Sequence, residues 1–123
     1  MNEKSRKRLA TCVPPLQELF NKVAEVCDII VIYGHRGQED QDIAWRLGNT
    51  KLKWPNSNHN RWPSCAVDVM PLPLDWSDTG RLKLFADYVK DTALMLDIPV
   101  RWGGDFKNFY DGPHWEISPG GRA

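Results

Sequence analysis

The stretch Val100-Arg101-Trp102-Gly103-Gly104, followed shortly by Asp111-Gly112-Pro113-His114-Trp115-Glu116-Ile117, carries the reading that decides the fold. Val100–Trp102 and His114–Ile117 read as short strands, and the Gly-Gly and Gly-Pro pairs between them as turns. Two strands this close in sequence end a chain in which helices and strands do not alternate regularly. That pattern predicts an α+β fold, a small antiparallel sheet packed with helices.

Working outward from this stretch, Ser77 or Asp78 can cap a long helix running to about Leu96. Its core face is Leu82, Phe85, Ala86, Val89, Ala93 and Leu96. Cys65 to Met70 alternates enough for a strand, ended by Pro71 and Pro73. Gly48 to Ser64 is polar and rich in Pro, Asn and Trp, so it reads as a long ordered loop, and such loops are usually functional. Residues 38–47 read as a short helix with Ile43, Ala44 and Leu47 on one face and Gly48 as its stop. Ile29-Ile30-Val31-Ile32-Tyr33 is a β-branched run ended by Gly34 and reads as a buried strand. Pro14 and Pro15 suit the first turn of a helix. Leu16, Leu19, Phe20, Val23 and Cys27 recur behind them at helical spacing.

Composition narrows the function classes. The 123 residues suit one domain spanning 1–123, and no internal repeat or linker divides them. A chain with 41% hydrophobic and 26% charged residues is neither disordered nor fibrous as a whole. Sixteen basic and sixteen acidic residues cancel, which argues against a nucleic-acid binder working by bulk electrostatics. The longest apolar run, Ile29 to Tyr33, is far short of a membrane span. Met1 to Arg8 is basic, but the next stretch is broken by Pro14 and Pro15 and soon meets Glu18, so no signal peptide is read and a cytoplasmic location is expected. Cys12, Cys27 and Cys65 form no CxxC pair and read as reduced, mostly buried thiols. The six tryptophans read as core or loop packing, with one or two lining a cleft.

Three segments concentrate the unusual residues: Tyr33-Gly34-His35-Arg36-Gly37, Ser57-Asn58-His59 through Ala66-Val67-Asp68, and Asp111 through Glu116. A catalytic zinc site takes three protein ligands and leaves one position open. Two imidazoles and one carboxylate leave the ion a net positive charge, enough to polarise a carbonyl and acidify a water. His59, Asp68 and His114 could supply that set, because Asp68 lies on a strand and His114 opens another that could pair beside it. A hydrolase also needs a general base. Asp111, three residues before His114 in a tight turn, is one candidate. Glu116, two residues after His114 on the same strand face, is the other. Spacing alone leaves the choice open, and it equally allows ordinary polar residues and a paired carboxylate.

The same residues resemble the zinc D-alanyl-D-alanine peptidases and the phage L-alanyl-D-glutamate endolysins, relatives of the hedgehog signalling domain. The resemblance rests on Ser57-Asn58-His59, Ala66-Val67-Asp68, Asp111-Gly112-Pro113-His114-Trp115, Gly34-His35-Arg36 and Trp102-Gly103-Gly104, in order along the chain. It implies a hedgehog/DD-peptidase-like fold and one zinc ion held by His59, Asp68 and His114. It also implies Asp111 as general base, Arg36 polarising the substrate, and a substrate-binding part for Ser57 beside Arg36. His59 and Asp68 stand nine apart, with Trp62-Pro63-Ser64 filling a gap that is shorter in many members, and His35 replaces the usual Tyr. The implied function is a phage endolysin, a monomer cleaving the L-alanyl-D-glutamate bond of the peptidoglycan stem peptide and reaching the wall from the host cytoplasm at lysis. The alternatives are a D-alanyl-D-alanine carboxypeptidase or dipeptidase with the same site, or a non-catalytic zinc-stabilised binding domain. An acid at position 111 argues against the last.

Overall fold

In the computed structural model, which describes residues 1–118, four strands form one antiparallel sheet in the order β1-β2-β4-β3. They are β1 (Ile29–Tyr33), β2 (Ala66–Pro71), β3 (Val100–Trp102) and β4 (His114–Ile117). The helices are α1 (Glu3–Leu9), α2 (Pro14–Ala24), α3 (Gln38–Arg46) and α4 (Thr79–Met95). The fold is thus the small antiparallel α+β arrangement expected from the sequence.

Strand alternation sorts the two faces of the sheet. Val67, Val69 and Trp115 join the hydrophobic core, together with Leu16, Leu19, Phe20 and Val23 of α2 and Leu82, Phe85, Ala86, Val89 and Ala93 of α4. Each fully buried aliphatic or Phe side chain contributes about 1.5–3 kcal/mol, so the two amphipathic helices fix the sheet from one side. Phe20 meets Trp115 edge-on at 6.1 Å, and Trp102 stacks on Trp115 at 6.1 Å. The residues between these core positions point to the opposite face. In the β2–β4 register Asp68 lies opposite His114, and Ala66 opposite Glu116. Directly opposed residues of an antiparallel pair share a face, so Asp68, His114 and Glu116 project together.

Asp78 caps α4 by accepting from the Arg81 backbone N–H at 3.0 Å. Helix α1 lies in a segment whose periodicity does not reveal it. It is started by Asn2, whose side chain accepts from Ser5 N at 2.8 Å. It covers the open edge of β1: Ser5 Oγ accepts from Val31 N at 2.9 Å, and the Arg8 guanidinium donates to Val31 O at 3.0 Å.

The face of α3 that carries Ile43, Ala44 and Leu47 lines a cleft, with Ala44 buried and Ile43 and Leu47 exposed. One expectation is corrected. Of the cysteines only Cys12 is buried, its thiol pushed up to about 12 by desolvation. The tryptophans divide as expected: Trp102 and Trp115 pack in the core and Trp76 lines the same cleft, while Trp62 is exposed. Among the described residues no helix is long and apolar enough to cross a membrane.

Candidate metal centre

Three segments converge above the polar face of the sheet. The 48–64 loop folds a short 3₁₀ turn at Asn58–Asn60. Ser57 caps it: its hydroxyl accepts from His59 N at 3.2 Å, while Asn60 Oδ1 accepts from Ser57 N at 3.0 Å. Asn60 also donates to the Arg36 carbonyl at 3.0 Å and to Gln41 Oε1 at 3.1 Å. One reciprocal cap therefore fixes both His59 and the backbone of Arg36. The 111–114 turn is anchored by Trp102, whose indole N–H donates to Gly112 O at 2.7 Å, and by Asp111 N donating to Gly103 O at 3.0 Å. Gly103 is required here, because a Cβ would collide with the Asp111 carbonyl and the His114 side chain.

His59 Nε2, His114 Nδ1 and Asp68 Oδ1 face one another. The imidazole nitrogens are 3.2 Å apart, and Asp68 Oδ1 is 3.3 Å from His59 and 3.4 Å from His114. The outer nitrogen of each ring decides its tautomer. His59 Nδ1 lies 2.9 Å from the Gly34 carbonyl, which can only accept, so Nδ1 carries the proton and Nε2 presents a lone pair. His114 Nε2 lies 2.7 Å from Glu116 Oε1, so in the neutral ring Nε2 keeps the proton and Nδ1 is the nitrogen left to present a lone pair. Asp68 Oδ1 is buried with no hydrogen-bond partner among the described residues. With both rings neutral, three buried acceptor atoms face a common point, and either a proton on His114 or a metal ion satisfies them. Burial opposes ionisation of Asp68, but the two imidazoles outweigh it and hold the carboxyl well below the usual range. His114 shows the same demand from the other side. Burial disfavours its charged form, yet Asp68 and Glu116 raise its pKa to about 9.

Asp111 stands at the rim, its Oδ2 3.9 Å from His114 Nδ1, and its side chain is 28% exposed. Burial, then the charge of Asp68, raises it to about 6 against the opposing pull of His114, His59 and Arg36. Arg36 is buried under the ring of Tyr33, 5.0 Å from its centroid, and its Nε has no partner among the described residues. Glu116 does not lean over the cluster from the front. It is bonded to His114 and lies 3.7 Å from Arg101, so it orients a ring from behind. Ser57 lines a small cavity beside His59 and His114, but its hydroxyl is already engaged in capping His59. His35 lies apart from the cluster, edge-on to Trp62 at 5.1 Å. The sequence reading missed the part of the Gly34 carbonyl. The signal for it is the glycine itself, where a Cβ would clash with the Arg8 carbonyl and the Thr11 hydroxyl.

The cluster lies between two cavities that share Arg36, Phe109 and Asp111, one of about 560 Å³ and one of about 140 Å³. Fold and site together define a class: small antiparallel α+β proteins whose two central strands and one loop aim two imidazoles and a carboxylate into a groove. Within that class, the family model for phage L-alanyl-D-glutamate peptidase matches residues 1–118, and the chain belongs to that family. It is similar to the peptidoglycan L-alanyl-D-glutamate endopeptidase CwlK of Bacillus subtilis (strain 168), 25% identical over 109 residues, with 75% of this chain covered. The chain spans 62% of that relative's length. Its fold is similar to the crystal structure of the Serratia marcescens L-Ala D-Glu endopeptidase ChiX, with a TM-score of 0.80 and 25% identity over 96% of this chain and 89% of that one.

Proposed function

We propose that this chain is a zinc-dependent peptidoglycan endopeptidase that hydrolyses the bond between L-alanine and D-glutamate in the stem peptide. The observation that carries the proposal is the set of three inward lone pairs on His59, His114 and Asp68, with both imidazole tautomers fixed from behind. Mixed nitrogen and oxygen donors favour zinc over calcium or magnesium, which take oxygen ligands. Tetrahedral ligands at about 2.0–2.1 Å have edges of about 3.3–3.4 Å, and the three observed separations of 3.2, 3.3 and 3.4 Å fit that size.

A zinc ion held by these three atoms would polarise the scissile carbonyl and acidify a water. The protein's own groups do the rest. Asp111, at the open rim of the cluster, takes the proton of the attacking water and passes one to the leaving nitrogen. Arg36, whose Nε has no partner among the described residues, offers its guanidinium to the carbonyl oxygen as charge develops there. Gly34 and Glu116 keep the two imidazoles from turning away. The domain acts as a monomer, and release from a phage-infected host cytoplasm at lysis belongs to the same proposal.

Mass spectrometry of muropeptides digested with zinc-loaded protein tests the reading. The expected products are a new C-terminal alanine and a new N-terminal glutamate. Release of free D-alanine instead would move the activity to the carboxypeptidase alternative. Intact muropeptides would sink both.

A further inference from the structure

The cavities on the two sides of the centre differ in charge. The larger one is walled by Ile43, Leu47, Trp76 and Tyr110, and its charged lining is Asp40, Asp68 and Asp111 against Arg36 alone. The smaller one shares Lys51, Phe106 and Phe109 with a surface groove of about 650 Å³. The charged lining of that groove is Lys51, Lys90, Arg101 and Lys107 against Asp105 alone. Lys90 is paired with Asp105 at 2.6 Å, and Arg101 lies 3.7 Å from Glu116 and over the Phe106 ring. Lys51 and Lys107 have no carboxylate partner among the described residues; Lys51 Nζ rests over the Phe109 ring, 5.4 Å from its centroid. Two uncompensated cations therefore lie on the side of the smaller cavity, while the larger cavity adds Asp40 and no lysine to the Asp111 and Arg36 that line both.

The substrate is asymmetric in the same way. Glutamate is a dicarboxylic acid. When its amino group forms the scissile bond, only one of its carboxyls can continue the peptide, so a free carboxylate remains within a few bonds of the leaving nitrogen. The alanyl side has no ionisable side chain. Threaded in reverse, the free carboxylate would meet Asp40 and no lysine. We infer that the substrate binds in one direction, with its alanyl side in the apolar cleft and its glutamyl side in the cationic groove, where Lys51 and Lys107 recognise the free carboxylate of the leaving group. The inference rests on the peptidase reading above and adds the two residues that set specificity.

The test uses two synthetic stem peptides that differ only in the free carboxyl of the glutamate, present as carboxylate or as carboxamide. The wild-type protein is expected to favour the carboxylate about five-fold in kcat/KM, mainly through KM, the range open to exposed ion pairs. That preference should shrink as salt shortens the reach of the charges. Lys51→Gln and Lys107→Gln should each lower the ratio, and the Lys51→Glu/Lys107→Glu double variant should invert it. Lys4→Glu, a charge change lining none of these cavities, should keep it. Equal cleavage of both peptides by wild type overturns the inference. So does a ratio that survives the lysine changes, including a general loss that is the same for both peptides. Cleavage of neither peptide by zinc-loaded wild type would instead refute the peptidase reading itself, and the inference with it.

Discussion

Asp111→Asn and Glu116→Gln, made side by side, separate the two acids that flank His114. Both changes keep size and remove a charge. Glu116 Oε1 accepts from His114 Nε2 at 2.7 Å inside the protein, while Asp111 Oδ2 stays 3.9 Å from the other nitrogen of the same ring. The first acid therefore fixes the ring, and the second is free to exchange a proton. Losing a carboxylate behind a metal-ligating imidazole typically costs about 10–100-fold in metal affinity or activity. Losing a general base costs about 10²–10⁴-fold in rate, or about 2.7–5.4 kcal/mol of barrier. Glu116→Gln is thus expected to weaken zinc binding and retain substantial kcat once the metal is saturating. Asp111→Asn is expected to bind zinc nearly as well as wild type and lose at least about a hundred-fold in kcat. Bound zinc per chain, melting temperature and kcat on a synthetic stem peptide are measured for both. If Glu116→Gln is dead with its zinc in place while Asp111→Asn turns over, the roles are reversed and the reasoning from orientation is wrong.

Three further outcomes are expected. In the metal-free protein His114 titrates at about 9, so at pH 7 it holds a proton that zinc must displace. Apparent zinc affinity should then rise about ten-fold per pH unit between pH 7 and 9 and flatten above; calorimetry in buffers of different ionisation enthalpy that detected no released proton at pH 7 would contradict this. Arg36→Lys keeps the charge but loses the planar fork whose Nε is free, so kcat/KM should fall clearly while zinc content holds; wild-type kcat/KM would remove Arg36 from the reaction. Gly34→Ala should drive a Cβ into the Arg8 carbonyl and the Thr11 hydroxyl, costing about 1–3 kcal/mol of stability and disturbing His59; an unchanged melting temperature would show that the contact yields freely.

The sequence by itself determined the strongest local elements. The β-branched run 29–33 admits little but a strand, and the Pro14-Pro15 start and the Asp78 cap mark helices whose apolar spacing has one period. His59, Asp68 and His114 were legible as a candidate set through the resemblance of their motifs, whereas their spacing alone equally allowed ordinary polar residues. What tertiary structure alone decided is how these pieces meet. Helix α1 is specified by Ser5 and Arg8 reaching the edge of β1, a contact 26 and 23 residues distant that no local pattern encodes. Spacing puts Ile43, Ala44 and Leu47 on one face of α3, but only the tertiary structure shows that this face lines a cleft. The choice between Asp111 and Glu116 also depends on packing. Pairing of β2 with β4 sets the rotation of the His114 ring, and that rotation puts one acid behind the imidazole and the other at its open side. Side-chain type fixes what a residue can do; only the register of the strands fixes which of its atoms faces the site.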